Sequence, residues 1–145
     1  MKKDYFSYAK LELLDNARVQ VACNEYITLE ERTSIIKDID EEYIQTINEA
    51  EGVEFKAARD MIGDISSSYS TKDATGIIMQ KLFNESYAFQ SEIYDFVETS
   101  DFVEIFYDAI SFNEAEEITF DEIYDDINAK AKSIAEKAKE TDFEM

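Results

Sequence analysis

The helical character of this chain is clearest in the stretch TFDEIYDDINAKAKSIAEKA, residues 119–138. Its apolar residues recur at steps of four, four, three and four: Ile123, Ile127, Ala131, Ile134 and Ala138. Residues with this spacing lie on one face of an α-helix. Thr119 and Glu122 are spaced as a capping box, in which each side chain accepts a hydrogen bond from the other residue's backbone amide. The stretch therefore predicts an amphipathic helix that begins directly after Thr119.

The charges of this predicted helix follow its dipole. Acidic side chains occupy the first turn: Asp121, Glu122 and Asp125. Basic side chains follow later, and we expect them near the C-terminal end: Lys130, Lys132, Lys137 and Lys139. Negative charge at the N-terminus and positive charge at the C-terminus of a helix are both stabilising.

Helical spacing continues through the rest of the chain, which has no proline and three glycines, a composition that favours long helices. A first helix is predicted over about 4–26, although Val19, Val21 and Cys23 also alternate as in a short strand. Thr28 and Glu31 form a capping box that starts a second helix, with Gly52 as its C-terminal cap. The remaining predictions are a helix over 53–65, a loop over 66–71 with Ser70 or Thr71 as the next cap, helices over 72–85, 86–97 and 102–110, and a loop over 111–118. We expect an all-α fold: one compact domain over residues 1–145, a bundle of about six or seven helices with a strongly acidic surface.

Composition limits the possible functions. The chain has 14 basic and 34 acidic side chains and a formal net charge of −20, a field that repels nucleic acid and anionic membranes. With no histidine, the usual catalytic triads and histidine metal sites are excluded, and Cys23 alone forms no internal disulfide. The 45% hydrophobic share and 19 aromatic side chains argue against a disordered chain. No signal-peptide core or membrane-spanning stretch is present in the sequence, so we expect a cytoplasmic protein without a cofactor, acting in the host cytosol if it is phage-encoded.

The acidic side chains are concentrated in residues 82–129, which hold fourteen acids and no lysine or arginine. Leaving so long a stretch without a base gives up the relief that paired charges provide, and this indicates that the negative field itself is used. The predicted partner-binding residues are Glu92, Asp95, Glu98, Asp101, Glu104, Asp108, Glu114, Glu116, Glu117, Asp121, Glu122, Asp125 and Asp126. A step of three or four residues advances ~4.5–6 Å along a helix, against ~3.4 Å of axial rise per phosphate of one DNA strand, whose path is longer and curved. If two or three acidic helix faces lie side by side, we expect their carboxylates to approximate the phosphates of a duplex.

In charge, size and predicted helical content the chain resembles phage-encoded DNA-mimic inhibitors of restriction or CRISPR nucleases. The resemblance implies a partner with a basic nucleic-acid-binding site, such as a defence nuclease, that is blocked without catalysis. We therefore expect that this chain does not itself bind nucleic acid, as its net charge of −20 also indicates.

Four other interpretations remain open. Acidic helix faces are commonly just solvated surface. An immunity protein or antitoxin that neutralises a basic toxin would show the same charge. An all-α Mg²⁺-dependent nucleotide pyrophosphatase would use a carboxylate cluster such as Glu117, Asp121, Glu122 and Asp126, and a structural protein would form a homo-oligomer, of which a homodimer is the simplest form. Three tyrosines near the predicted polar faces are candidate interface anchors: Tyr94, Tyr107 and Tyr124.

Overall fold

The computed structural model describes residues 4–23, 27–90, 93, 96 and 120–143, and these contain five α-helices and no strand. The helices are α1 (Tyr5–Ala22), α2 (Leu29–Glu49), α3 (Val53–Ser68), α4 (Thr71–Gln90) and α5 (Asp121–Phe143). The all-α prediction is confirmed. The expected count of six or seven helices differs from the five in these ranges, and the predicted helix over 102–110 lies outside them. None of the five helices is long and apolar enough to cross a membrane.

Helix α1 is the centre of the packing and contacts α5, α2 and α4. The sequence predicts one apolar face for this helix, at steps of three and four residues from Phe6 to Val21. Phe6 is half-buried, and the other members of that face are buried: Ala9, Leu13, Ala17 and Val21. A second buried face, which the spacing did not predict, is formed by Tyr8, Leu11 and Leu14. A helix with apolar residues on two faces needs neighbours on both, and among the described helices α5, α2 and α4 provide them. The segment from Val19 to Ala22 is helical, so the alternative of a short strand is wrong.

The start of α2 confirms the first capping box. The backbone amide of Glu31 donates to Thr28 Oγ1 over 3.1 Å, and the amide of Thr28 donates to Glu31 Oε1 over 3.3 Å. These bonds satisfy amide groups that a helix N-terminus otherwise leaves without partners. Behind them, the helical spacing of the sequence predicts an apolar stripe of Ile36, Ile39, Tyr43 and Ile47. Ile36 is half-buried and the other three are buried.

The predicted role of Gly52 as the cap of α2 is wrong. Helix α2 ends at Glu49 with Ala50 as its C-cap, and Gly52 instead precedes α3 as its N-cap, with φ 131° and ψ 157°. The end of α2 is closed by Arg59, whose Nη1 donates to the carbonyl oxygen of Ala50 over 2.5 Å and to that of Ile47 over 3.3 Å. Because an arginine from α3 satisfies these carbonyls, no glycine is needed there.

The predicted loop over 66–71 is present but shorter than expected, and the predicted new start at Ser86 is wrong. Helix α3 continues to Ser68, and only Tyr69 and Ser70 separate it from α4. The hydroxyl of Ser67 donates to the carbonyl oxygen of Asp64 over 2.9 Å. Because its hydroxyl is bonded to the backbone of the same helix, Ser67 does not end α3. The amide of Asp73 donates to Ser70 Oγ over 3.4 Å, which makes Ser70 the cap of α4. From there α4 runs without a break to Gln90.

Helix α5 confirms the apolar face predicted from residues 119–138. The helix packs against α1, and the five apolar residues of the predicted face are all buried: Ile123, Ile127, Ala131, Ile134 and Ala138. Because α5 continues to Phe143, its lysines lie in the middle and second half, and its last turn has no basic residue. The predicted pairing of lysines with the C-terminal end of the dipole is therefore wrong. Thr119 lies outside the described ranges, so the second capping box stays a prediction.

Candidate acidic interface

The predicted partner-binding acids fall into two groups. Nine lie outside the described residues: Glu92, Asp95, Glu98, Asp101, Glu104, Asp108, Glu114, Glu116 and Glu117. The other four lie at the start of α5. Asp121, Asp125 and Asp126 are exposed, while only the backbone of Glu122 is described. The structure thus brings three of the predicted carboxylates together at one end of one helix.

These three carboxylates occupy the first two turns of α5. Ile123 and Ile127 of the same turns are buried, so the aspartates lie on the remaining, solvent-facing part of the helix surface. None of the three makes an ion pair or hydrogen bond with another side chain in the described ranges. The positive end of the helix dipole stabilises carboxylates at this position. Because no cation of the described residues is bonded to them, their negative charges stay available to a binding partner.

A buried lysine links this end of α5 to α1 and α2. Lys10 of α1 is 6% exposed, and its Nζ lies 2.5 Å from Oε1 of Glu42 in α2. The same Nζ lies 5.0 Å from the centroid of the Tyr124 ring in α5 and 5.8 Å from that of Phe6. Ammonium groups are attracted to the faces of aromatic rings at such distances. Lys10 is the cation of α1 that lies nearest to the start of α5, and its charge is thus neutralised inside the fold.

Two arginines, Arg18 and Arg59, are also bonded to acceptors inside the fold. Arg18 Nε donates to Asp40 Oδ1 over 2.8 Å, and Asp40 is 7% exposed. Arg59 is bonded to the carbonyl oxygens at the end of α2. Meanwhile α2 exposes four acidic side chains, Glu30, Asp38, Glu41 and Glu49, against one exposed base, Lys37. The excess of negative charge at the surface of α2 therefore comes from its own composition, and the paired cations of α1 do not offset it because they are already bonded to Glu42 and Asp40.

The acidity of α5 is confined to its first half. From Lys130 onward, exposed or half-buried lysines alternate with Glu136 and Glu140. Opposite charges at such spacing relieve each other's repulsion. The second half of α5 is therefore an ordinary mixed surface, and the first two turns are the part with uncompensated charge.

Of the three candidate anchor tyrosines, only Tyr124 is described. It is half-buried against the core, and its ring centroid lies 5.7 Å from that of Phe120 in an edge-to-face arrangement. With Lys10 above its ring as well, Tyr124 contributes mainly to packing. Tyr94 and Tyr107 lie outside the described residues.

A half-buried acid that the sequence patterns missed lies between α1 and α2. Burial, and secondarily the charge of Asp15, raises the pKa of Glu12 to about 7. The pKa of Tyr43 is also raised, first by burial and then by the charges of Asp15 and Glu12. The available signal was the place of Glu12 between Leu11 and Leu13 in a helix that is apolar on most sides.

A groove of about 830 Å³ lies between α2 and α4, with Ile36 and Met79 among its apolar lining residues. Its charged lining residues balance, with two of each sign: Arg18, Lys37, Asp40 and Glu41. Within the described ranges, no three histidine, cysteine or acidic side chains are grouped so as to hold a metal ion. Glu117 and the side chain of Glu122 lie outside the described part of the chain, so the Mg²⁺ cluster stays a prediction.

The chain matches no protein-family model, no curated protein and no solved structure.

Proposed function

We propose that this protein is a small acidic inhibitor that occupies the basic nucleic-acid-binding site of another protein. The class of target is a defence nuclease of the restriction or CRISPR type, met in the cytoplasm. The carboxylates of residues 92–126 take the place of DNA phosphates, and inhibition is electrostatic and steric, without catalysis.

The observation that supports this proposal best is the uncompensated charge at the start of α5. Asp121, Asp125 and Asp126 are exposed and form no ion pair with a described side chain. The nearest cation on α1, Lys10, is buried against Glu42 and Tyr124. These aspartates also end the 48-residue stretch without a base, so the exposed end of α5 continues the charge pattern of the sequence before it.

The spacing of these aspartates suits contact with a row of basic side chains. Asp121 and Asp125 are one turn apart, which corresponds to a rise of ~6 Å along the helix, and Asp126 adds a third carboxylate beside them. The phosphates of one DNA strand rise by only ~3.4 Å each along the duplex axis, but because the strand follows a longer, curved path their direct separation is larger than this rise. A rigid helix presents its carboxylates at little entropic cost, as a duplex presents its phosphates.

The proposal is tested by capture followed by competitive release. The protein is immobilised and exposed to a nuclease-treated bacterial lysate that contains restriction and CRISPR nucleases. Bound proteins are then eluted at constant ionic strength with a short DNA duplex. We expect the eluate to consist of nucleic-acid-binding proteins that the duplex releases. Bound proteins that the duplex does not release contradict DNA mimicry and favour a toxin-type partner.

A matched pair of charge reversals locates the contact. The test variant is D121K/D125K/D126K, and the control D38K/D60K/D64K makes the same change in net charge at exposed acids of α2 and α3. We expect the test variant to reduce capture about tenfold or more and the control to reduce it about twofold or less. Equal losses in both variants would mean that total charge, rather than this surface, is responsible.

A further inference from the structure

One oxygen of the Glu12 carboxyl group, which lies in the contact between α1 and α2, has no hydrogen-bond partner among the described residues. The side chain of Glu12 is half-buried, but this oxygen, Oε2, is inaccessible to solvent. A buried carboxylate oxygen that lacks both water and a donor is costly, because it loses its hydration and gains nothing in return.

The charged and titratable groups around Glu12 make this cost larger. Asp15 lies one turn further along α1, and Tyr43 of α2, which is 2% exposed, interacts electrostatically with both acids. Burial and Asp15 together raise the pKa of Glu12 to about 7. The helices α4 and α5 also pack against α1. No described group on either of them contributes to the raised pKa of Glu12.

The two cations that α1 brings to its contact with α2 are bound elsewhere. Lys10 is bonded to Glu42, and Arg18 is bonded to Asp40. Neither of them stabilises the ionised form of Glu12. The neutral acid is therefore the form that suits this contact, because it removes the repulsion from Asp15 and is far less costly to bury.

We propose that Glu12 is a proton-operated latch between α1 and α2, which closes when its carboxylate takes up one proton from solvent and loosens when that proton is released. The latch is independent of the proposed inhibitor function.

The direction of the pH dependence follows from linkage. The pKa of Glu12 is higher in the folded protein, at about 7, than its ordinary value of 4.5. The folded state therefore binds the proton more tightly, and the stability that the latch contributes is fully present below about pH 4.5 and is lost as the pH rises towards 7. The loss is complete about one pH unit above the folded pKa, near pH 8, and is constant beyond that.

The test compares the urea unfolding of the full-length chain with that of E12Q, in which an uncharged side chain of the same shape replaces the carboxylate. We expect E12Q to increase the folding equilibrium constant about tenfold or more at pH 8 and only a few-fold at pH 5. The control E41Q removes one charge from an exposed position of α2. It should change the constant by less than about twofold at either pH.

A direct titration provides a second readout. In a carboxyl-carbon NMR titration of the native protein, the Glu12 signal should have its midpoint well above that of an ordinary glutamate, towards pH 7. Amide hydrogen exchange in α1 and α2 should be slower in E12Q than in the native protein at pH 8, because local opening becomes rarer. A midpoint near 4.5, or an effect of E12Q that is the same at pH 5 and pH 8, overturns the latch.

Discussion

The Nζ atom of Lys10 lies 2.5 Å from Oε1 of Glu42, and this ion pair joins α1 to α2 where only 8% of the lysine side chain and 20% of the glutamate side chain are exposed. The pair has two consequences. It holds the central helix in register with α2, and it removes a cation from the surface beside the exposed aspartates of α5. The internal packing and the proposed external charge thus depend on the same residue.

Substitution of Lys10 should destabilise the fold. In K10M the apolar part of the side chain is kept, but the Glu42 carboxylate loses its partner in a poorly solvated place. We expect a loss of about 2–3 kcal/mol in the free energy of unfolding, measured by urea denaturation. E42Q keeps an oxygen acceptor for Nζ and should cost less. A K10M variant as stable as the native protein would show that the ion pair contributes nothing to the α1–α2 contact.

Loss of the capping box should weaken the start of α2. T28A removes the hydroxyl that accepts the amide of Glu31, and we expect it to lower the free energy of unfolding by about 1 kcal/mol. Thr33, one turn further along, donates instead to the carbonyl oxygen of Leu29 within the helix. T33A is therefore the matched control and should be close to neutral. Equal effects of the two substitutions would contradict the capping role.

Gly52 and Gly63 should respond in opposite directions to substitution by alanine. Gly52 has φ 131° and ψ 157°, a conformation that alanine adopts only with strain, so G52A should cost about 1–3 kcal/mol. Gly63 lies inside α3, where an added Cβ meets no atom within 4 Å, so G63A should stabilise by about 0.5–1 kcal/mol. Thermal unfolding measures both. A neutral G52A would contradict the role of Gly52 at the start of α3.

Regular spacing predicted those parts of the fold that depend on local physics. The face of α5 from Ile123 to Ala138 and the Thr28–Glu31 capping box are both as expected. Helix ends were less predictable, because a glycine between two helices such as Gly52 can close one or open the next. That choice was decided by Arg59, which approaches the end of α2 from a different helix.

The candidate site was predictable only as a set of charges. The sequence shows which acids lack nearby bases, and Asp121, Asp125 and Asp126 are indeed exposed. The burial of Lys10 was not predictable, nor was the Glu12 oxygen that has no partner in the described part of the chain, since both depend on which helices surround α1. The second buried face of α1 was missed for the same reason.

The most direct test of the central claim is a competition experiment with a purified target obtained by the capture described above. The target is first bound to a fluorescent DNA duplex, the acidic protein is added, and release of the duplex is followed by fluorescence anisotropy. We predict that the protein displaces the duplex, that its midpoint concentration rises in proportion to the duplex concentration, and that D121K/D125K/D126K needs about tenfold more protein than D38K/D60K/D64K. A protein that binds the target while the duplex stays bound would contradict the claim.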